Sequence, residues 1–437
     1  MNREISKSLN KFVIPLLIQY IASYFMGIAD TAIVARLSTE AFNAVSLLSS
    51  TFSMIAGVLG SITIVLNIHL GKTLATEKKD VFYLEFSTSL LLSIIIGLAC
   101  LVAVLMYGSN IWQILYGLSG EALYQASSYA EPMSLYILLQ LLLFTYGTLF
   151  KVKNHTIWIL IGSTINSFIN LILDYLFVLG KMGLPQMGVA MAAWSNIIGM
   201  SLNLILYFCA SKVNFKCILN QFVSSFKNMV THIKESFTLV LQEIIDGSLY
   251  TLAVNMIIIR VGNVEYATLT VTNVLIGFLF IFKYLYGSAV LSLISVCDKT
   301  NYKNKVLSYP TYASRFSTII YCLLGALLLY NKTFFSSLVS DNLDVLVMTS
   351  QYLAYYILAY IYSSKTYIYQ CALQAVGKSK FVLVTTAAIN FFVLILMLIF
   401  TFPLHAGLIG IAFCYFINEL VVGIIYKKEF IKIIDGT

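Results

Sequence analysis

The sequence predicts an all-α polytopic membrane protein, with twelve transmembrane helices in two six-helix lobes related by a pseudo-two-fold axis. Three observations carry this. Only 11% of the 437 residues are charged, against about a quarter in a soluble domain. Apolar windows of about 20 residues recur along the whole chain, each long enough to cross the hydrocarbon. The two halves also repeat one another in motif and order. Backbone groups in hydrocarbon must be satisfied within the protein, and windows of this length do so as helices.

The windows fall near 12–35, 44–70, 81–106, 128–150, 156–180 and 187–209, then near 236–260, 267–297, 310–331, 344–370, 380–403 and 406–426. Most of the 27 Lys and Arg gather at the N-terminus and in alternate loops: "MNREISKSLNK", "GKTLATEKKD", "FKVKNHT", the 211–235 connection, "CDKTNYKNK", "AVGKSK" and "YKKEFIK". The opposite loops hold Arg36, Lys181, Arg260 and Lys332. This bias places both termini in the cytoplasm of a multi-pass cell-membrane protein. The net charge of +8 therefore follows topology and implies no nucleic-acid partner. The partners expected are the bilayer and a small organic molecule, for a monomeric chain. The first apolar segment is long enough to span and lacks a small-residue cleavage site, so it reads as a span and not as a signal peptide. Seven cysteines without CxxC spacing read as reduced packing residues.

The longest polar connection, "SKVNFKCILNQFVSSFKNMVTHIKE" at 211–235, divides the chain into a first lobe (1–210), a linker and a second lobe (236–437). Its Phe, Ile and Val among lysines fit an amphipathic helix on the inner leaflet; a solvated linker is the other reading. Around it the halves align. Gln19 meets Gln242 and Arg36 meets Arg260, and "GVAMAAWSN" (188–196) meets "GIAFCYFIN" (410–418). Both copies start on the same side, which makes a parallel repeat, a plan transporters use with a substrate cleft between lobes and alternating access.

Few ionisable groups lie within spans. They are Asp30 and Asp174 in the first half and Glu243, Asp246 and Lys283 in the second, with Lys365 and Glu419 nearer the inner ends. A carboxylate at the centre of a membrane helix costs about 2.5–3.5 kcal/mol on insertion scales. Asn166, Asn170 and Asp174 follow i, i+4, i+8 spacing and share one helix face. Asp30 lies six residues before Arg36 and Asp174 six before Gly180, so both sit about 9 Å below the outer boundary. Asn196 on the sixth span adds an amide. Two carboxylates and two amides offer hard oxygen ligands for Na⁺, or a proton shared between like charges. The structural alternative is that Asp30 snorkels or bonds to Asn170. In the second half, Asp246 and Lys283 lie about 21–24 Å inside their outer ends. They read either as a structural ion pair or as a substrate-lining acid with a tuning lysine, with Glu243 as a substitute partner. The twin segment has Ala253 or a neighbour where Asp30 would stand, so the carboxylate site belongs to one lobe.

The aromatic run "YLAYYILAYIYSSKTYIYQ" (352–370) fits span packing, with substrate stacking as a secondary use. His69, His155, His232 and His405 fall at span ends or in loops without metal-ligand spacing. Walker, nucleophile-elbow and HExxH motifs are absent. The chain therefore reads as a non-enzyme, with no cofactor expected beyond a coupling ion.

The segment "IPLLIQYIASYFMGIADTAIVARLSTEAFNAVSL" resembles the first span of the multidrug and toxic compound extrusion (MATE) family, in the multidrug/oligosaccharidyl-lipid/polysaccharide exporter superfamily. "NLILDYLFVLGKMGLPQMGVAMAAWSN" resembles that family's fifth-to-sixth-span signature. "LNIHLGKTLATEKKD" and "LQAVGKSKF" are similar to its cytoplasmic loops. The resemblance implies a two-lobed exporter driven by Na⁺ or H⁺. Its cation site carries over to Asp30, Asn170 and Asp174, with Asn196 at the sixth-span hydroxyl position and Asp246 at the seventh-span acid. Thr238 stands where many members have proline, and Lys283 departs from the pattern. The expected function is a cation-coupled antiporter for amphipathic or cationic organic molecules. The alternatives are a lipid-linked oligosaccharide flippase and a membrane-embedded lipid-carrier transferase.

Overall fold

The computed structural model describes residues 2–34, 36–76, 78–297, 302–340 and 342–435. Residues 298–301 of the basic segment "CDKTNYKNK" and Glu77 of "GKTLATEKKD" lie outside the described residues. Among the described residues every regular element is helical. The helices of the first half are α1 (Asn2–Val34), α2 (Thr39–Gly60), α3 (Ile62–Ala75), α4 (Lys79–Tyr116), α5 (Gly120–Met133), α6 (Tyr136–Val152), α7 (Ile157–Leu173) and α8 (Gly188–Ser211). Next come α9 (Phe215–Asn220), α10 (Phe222–Glu243), α11 (Tyr250–Ile259), α12 (Asn263–Ser295) and α13 (Tyr302–Tyr330). The chain ends with α14 (Lys332–Ser337), α15 (Leu343–Ala359), α16 (Ser363–Ala375), α17 (Ser379–Thr401) and α18 (Gly407–Asp435).

Eleven helical segments among the described residues are long and apolar enough to cross a membrane. The first predicted span, 12–35, falls on α1 as far as Val34, and Ala35 lies outside the described residues. Three spans are broken. In the second, the Ser61 hydroxyl donates back to the Val58 carbonyl at 2.7 Å where α2 gives way to α3. In the fourth, Pro132 removes a backbone donor near the end of α5. In the tenth, α15 and α16 meet around Tyr360–Tyr362. The boundaries are local chemistry. Ser38 caps α2 by accepting from the Ala41 N–H, and Gly117 ends α4 at φ 64°.

The linker is helical over most of its length, as one of its two readings expects. The stretch 215–220 is a short helix, and from Phe222 one helix runs on into the seventh span. No Pro or Gly interrupts 222–246, so nothing in the sequence stops it there.

The chain divides into two compact units, Ile14–Ser236 and Phe237–Thr437, the second of which also takes Met1–Val13. Within the second unit, the Tyr286 hydroxyl donates to Asn10 Oδ1 at 3.2 Å, tying down that N-terminal segment. Each unit has its own apolar core. Leu48, Phe52, Trp112 and Ile197 are among the first, and Ile258, Leu353, Tyr356 and Met397 among the second. Large side chains such as Met106, Ile114 and Phe391 point outward, as lipid-facing surface does. Lipid is as apolar as leucine, so close backbone approach matters more than burial for helix association. At the α7–α8 contact, a Cβ on Gly199 would collide with Asn166 Oδ1 and lie 2.8 Å from the Asn166 carbonyl oxygen. That approach carries α8 residues onto the polar face of α7.

Candidate functional site

In the first lobe α7 ends in a π-helical turn, Asp174–Val178, that begins with the acid itself. Such single-turn widenings are frequent at functional sites because they re-aim side chains. Asp174 is fully buried. Its Oδ1 accepts a short hydrogen bond from the Ser195 hydroxyl, and Asn170 Nδ2 donates to that same Ser195 oxygen at 3.1 Å. The Asp30 carboxyl, four residues from the end of α1, lies close enough to Asp174 for the two acids to interact. Asp174 Oδ2 is buried and meets no hydrogen-bond donor among the described residues. Two carboxyls facing each other without a donor between them need a shared proton or a cation. Tyr129, bonded to Ser49 at 2.8 Å, lies near both acids.

Asp30, Asn170 and Asp174 thus meet in one place. The hydroxyl that joins them belongs to Ser195. Asn196, its neighbour, makes no side-chain hydrogen bond that would join it to the cluster among the described residues. One residue is a rotation of about 100° on a helix, enough to aim a side chain elsewhere. The signal for Ser195 was present in "AWSN", since a hydroxyl one position earlier falls on the face that Gly199 presses against α7.

In the second lobe a cavity of about 480 Å³ gathers Glu243, Asp246 and Lys283 together with Glu419. Its aromatic wall includes Tyr250, Phe280, Tyr360 and Tyr415. Asp246 also lies in a π-helical turn, Ile244–Leu249. Its Oδ1 accepts from Asn390 Nδ2 at 3.0 Å, and Asn390 Oδ1 accepts in turn from Asn418 Nδ2 at 2.8 Å. Asn418 occupies the position that aligned with Asn196, so in this lobe the amide joins the network. Lys283 forms no ion pair within 4.0 Å among the described residues. Its ammonium stands 3.4 Å from the centroid of the Phe280 ring and 5.3 Å from that of Tyr284. Of the two readings left open, the structural Asp246–Lys283 ion pair is not formed among the described residues, and the lysine is held instead on an aromatic face. Glu419 Oε2 is buried without a partner among the described residues. Sequence reasoning saw Glu419 as an inner-end residue and missed its place here, because the depth of a side chain does not say which cavity it enters.

A family model described as MatE matches residues 15–176 and 242–402, well over half of the chain and part of each lobe. The Thermotoga maritima "Probable multidrug resistance protein NorM" is 26% identical over 196 residues, which cover 45% of this chain and 42% of that protein. The matched stretch spans less than half the length of the curated relatives. Among solved structures, one titled as an outward-facing multidrug resistance MATE family transporter of the MOP superfamily superposes with TM-score 0.82 at 15% identity. It covers 99% of this chain and 96% of that chain. A MOP superfamily transporter from Pyrococcus furiosus, whose title describes a binding pocket of reverse polarity, gives TM-score 0.82 at 16% identity over 99% and 96% of the two chains. These likenesses show the fold, twelve helices in two lobes. With the family model matched in both halves, the chain belongs to the MatE family, the multidrug and toxic compound extrusion (MATE) transporters.

Proposed function

We propose that the chain is a secondary active exporter, an H⁺- or Na⁺-coupled antiporter that extrudes amphipathic or cationic organic molecules by alternating access. The observation that carries this is the Asp30–Asp174 carboxyl pair, closed by Ser195 and Asn170 and left with a donor-less oxygen. A ligand shifts a conformational equilibrium only through a difference in affinity between states. A pair of acids, one buried and one half-buried, supplies that difference, since it is tolerable when occupied by a cation and repulsive when empty. The second-lobe cavity supports the substrate class: three carboxylates against one ammonium, with aromatic faces, favour a flat cation. The cell membrane is the proposed location, with both termini cytoplasmic.

The test is substrate-dependent counterflow in proteoliposomes, using a fluorescent aromatic cation and imposing Na⁺ and pH gradients separately. Efflux driven by one gradient, and lost in Asp30→Asn, is the expected result. Full gradient-driven transport by Asp30→Asn would sink the assignment.

A flippase for lipid-linked phosphates is the second reading, favoured by one observation. A cavity of about 760 Å³ in the second lobe is lined by Arg315, Lys365 and Lys427 with the Thr311, Ser314 and Tyr369 hydroxyls, groups that suit a phosphate. Gradient-independent movement of a lipid diphosphate, lost in Arg315→Ala, would favour it over antiport.

A further inference from the structure

Away from both sites, the first unit brings together two histidines and two glutamates from three helices. Glu85 Oε2 on α4 accepts from His69 Nδ1 of α3 at 2.9 Å and from His232 Nε2 of α10 at 2.5 Å. One ligand atom from each of the three residues lies within 4.8 Å of the others. The other nitrogen of His69, Nε2, faces Glu235 Oε2 at 2.8 Å. His232 is fully buried, and its Nδ1 has no partner among the described residues.

We propose that His69, Glu85 and His232 form a site for a divalent transition-metal ion of the zinc type. In this site Glu235 is a positioning residue, and the ion fastens the linker helix α10 to α3 and α4. Four features argue for it. Two imidazoles and one carboxylate are a donor set that zinc takes, with a fourth position left for water or another ligand. A metal-bound histidine typically gives its second N–H to a carboxylate, which fixes the ring and raises its basicity; the His69–Glu235 contact has this form. Glu85 and Glu235 together balance a 2+ charge, with Lys72 the nearby opposing cation. Finally, three helices converge on one oxygen of Glu85, so a 2+ ion at that point links all of them. On binding, the His69 proton now directed at Glu85 leaves to solvent while His69 keeps its proton toward Glu235, and His232 takes the Nδ1–H tautomer, which frees Nε2 for the ion. Affinity therefore falls as pH is lowered and protons compete for the nitrogens.

The linker helix continues toward the second lobe as the seventh span. An ion that holds it at His232, ahead of the seventh span, would set how freely that helix moves, which gives the site a regulatory use. The cluster rests on its own geometry and is independent of the proposed antiport.

The experiment uses the purified full-length protein in detergent, stripped with a chelator and titrated with Zn²⁺ alone by calorimetry. Bound metal is counted by elemental analysis. The expected result is one Zn²⁺ per chain, with affinity lowered at least about 100-fold in His232→Ala and Glu85→Gln. Glu235→Gln, a half-exposed position, should lose about 10–100-fold, as outer-shell partners do. His155→Ala is the control and should match the unaltered protein. Only variants that stay monodisperse on size exclusion are compared. Because Glu235 is largely at the surface, its variant keeps the test alive if the buried ones misfold. A second readout is the visible d–d absorption of Co²⁺, which marks a tetrahedral site and which a purely structural knot would not give. If the unaltered protein binds Zn²⁺ no more tightly than His232→Ala or Glu235→Gln, the cluster is a hydrogen-bonded clasp and the metal assignment is overturned.

Discussion

Asp174 and Asp246 each occupy a π-helical turn, one in each lobe, and each hands a carboxylate oxygen to a neighbouring helix: Asp174 to Ser195 of α8, Asp246 to Asn390 of α17. The shared device serves different surroundings. Asp174 faces a second acid, whereas Asp246 opens into an aromatic cavity with a lysine. The two should therefore fail differently. Asp174→Asn should abolish gradient-driven efflux while leaving substrate binding to detergent-solubilised protein within about twofold. Asp246→Asn should keep the cation response and weaken binding of an aromatic cation about tenfold, as expected for losing one charge-assisted contact of about 1.5 kcal/mol. Fluorescence binding and proteoliposome flux on the same preparations separate these outcomes. Equal loss of both properties in both variants would show that the assignment of roles is wrong.

Ser195 gives a sharper test, because its neighbour is the control. Its hydroxyl receives from Asn170 and donates to Asp174, so Ser195→Ala leaves two polar groups short of a partner. Leaving a buried polar group unsatisfied costs about 1–3 kcal/mol, which corresponds to a loss of about 5–150-fold in coupling-ion affinity. Asn196→Ala should change that affinity less than twofold. The half-maximal Na⁺ or proton concentration for efflux is the quantity to compare.

How far the sequence carried the reading follows from what each signal encodes. Span positions were legible because a hydrocarbon slab imposes length and hydropathy directly; the predicted 380–403 and observed Ser379–Thr401 differ by two residues at most. The Asp30–Asp174 meeting was legible from matched depth, a coordinate that helical rise supplies. Azimuth was harder. The repeat alignment pointed to Asn196 where the α7–α8 approach at Gly199 turns Ser195 inward. His69 and His232 were out of reach for a different reason, since no spacing rule connects residues on separate helices until the packing is known. The break around Tyr360–Tyr362 has no Pro or Gly beside it, whereas the one at Ser61 follows Gly60, a Gly–Ser pair of the kind that kinks helices.

Lys283 is a buried ammonium held over Phe280 with no carboxylate in ion-pair range among the described residues. It occupies the aromatic face that a cationic substrate would use, and it repels that substrate. Lys283→Met removes the charge and keeps most of the volume. Affinity for an aromatic monocation should rise about tenfold, since one cation–π contact and one repulsion change hands at about 0.5–2 kcal/mol each. Affinity for an anionic dye should fall. A drop in affinity for both would mean that the lysine holds the cavity open and does not select charge.

The last prediction concerns the scaffold. Gly199 lets α8 approach α7 until there is no room for a methyl group against the Asn166 carbonyl at 2.8 Å. That carbonyl is helical backbone and cannot swing away as a side chain would, so Gly199→Ala must push α8 outward. Overpacking of this kind costs about 1–3 kcal/mol. The displacement also falls one turn from Ser195, on the same helix face, lengthening its bonds to Asn170 and Asp174. The expected result is a lower melting temperature together with a cation affinity reduced nearly as far as in Ser195→Ala. A Gly147→Ala variant, whose Cβ would meet nothing within 4 Å, should leave both unchanged. Should Gly199→Ala melt lower yet keep normal cation affinity, close packing of α7 and α8 would be a matter of stability alone, and the site would owe its geometry to the π-helical turn.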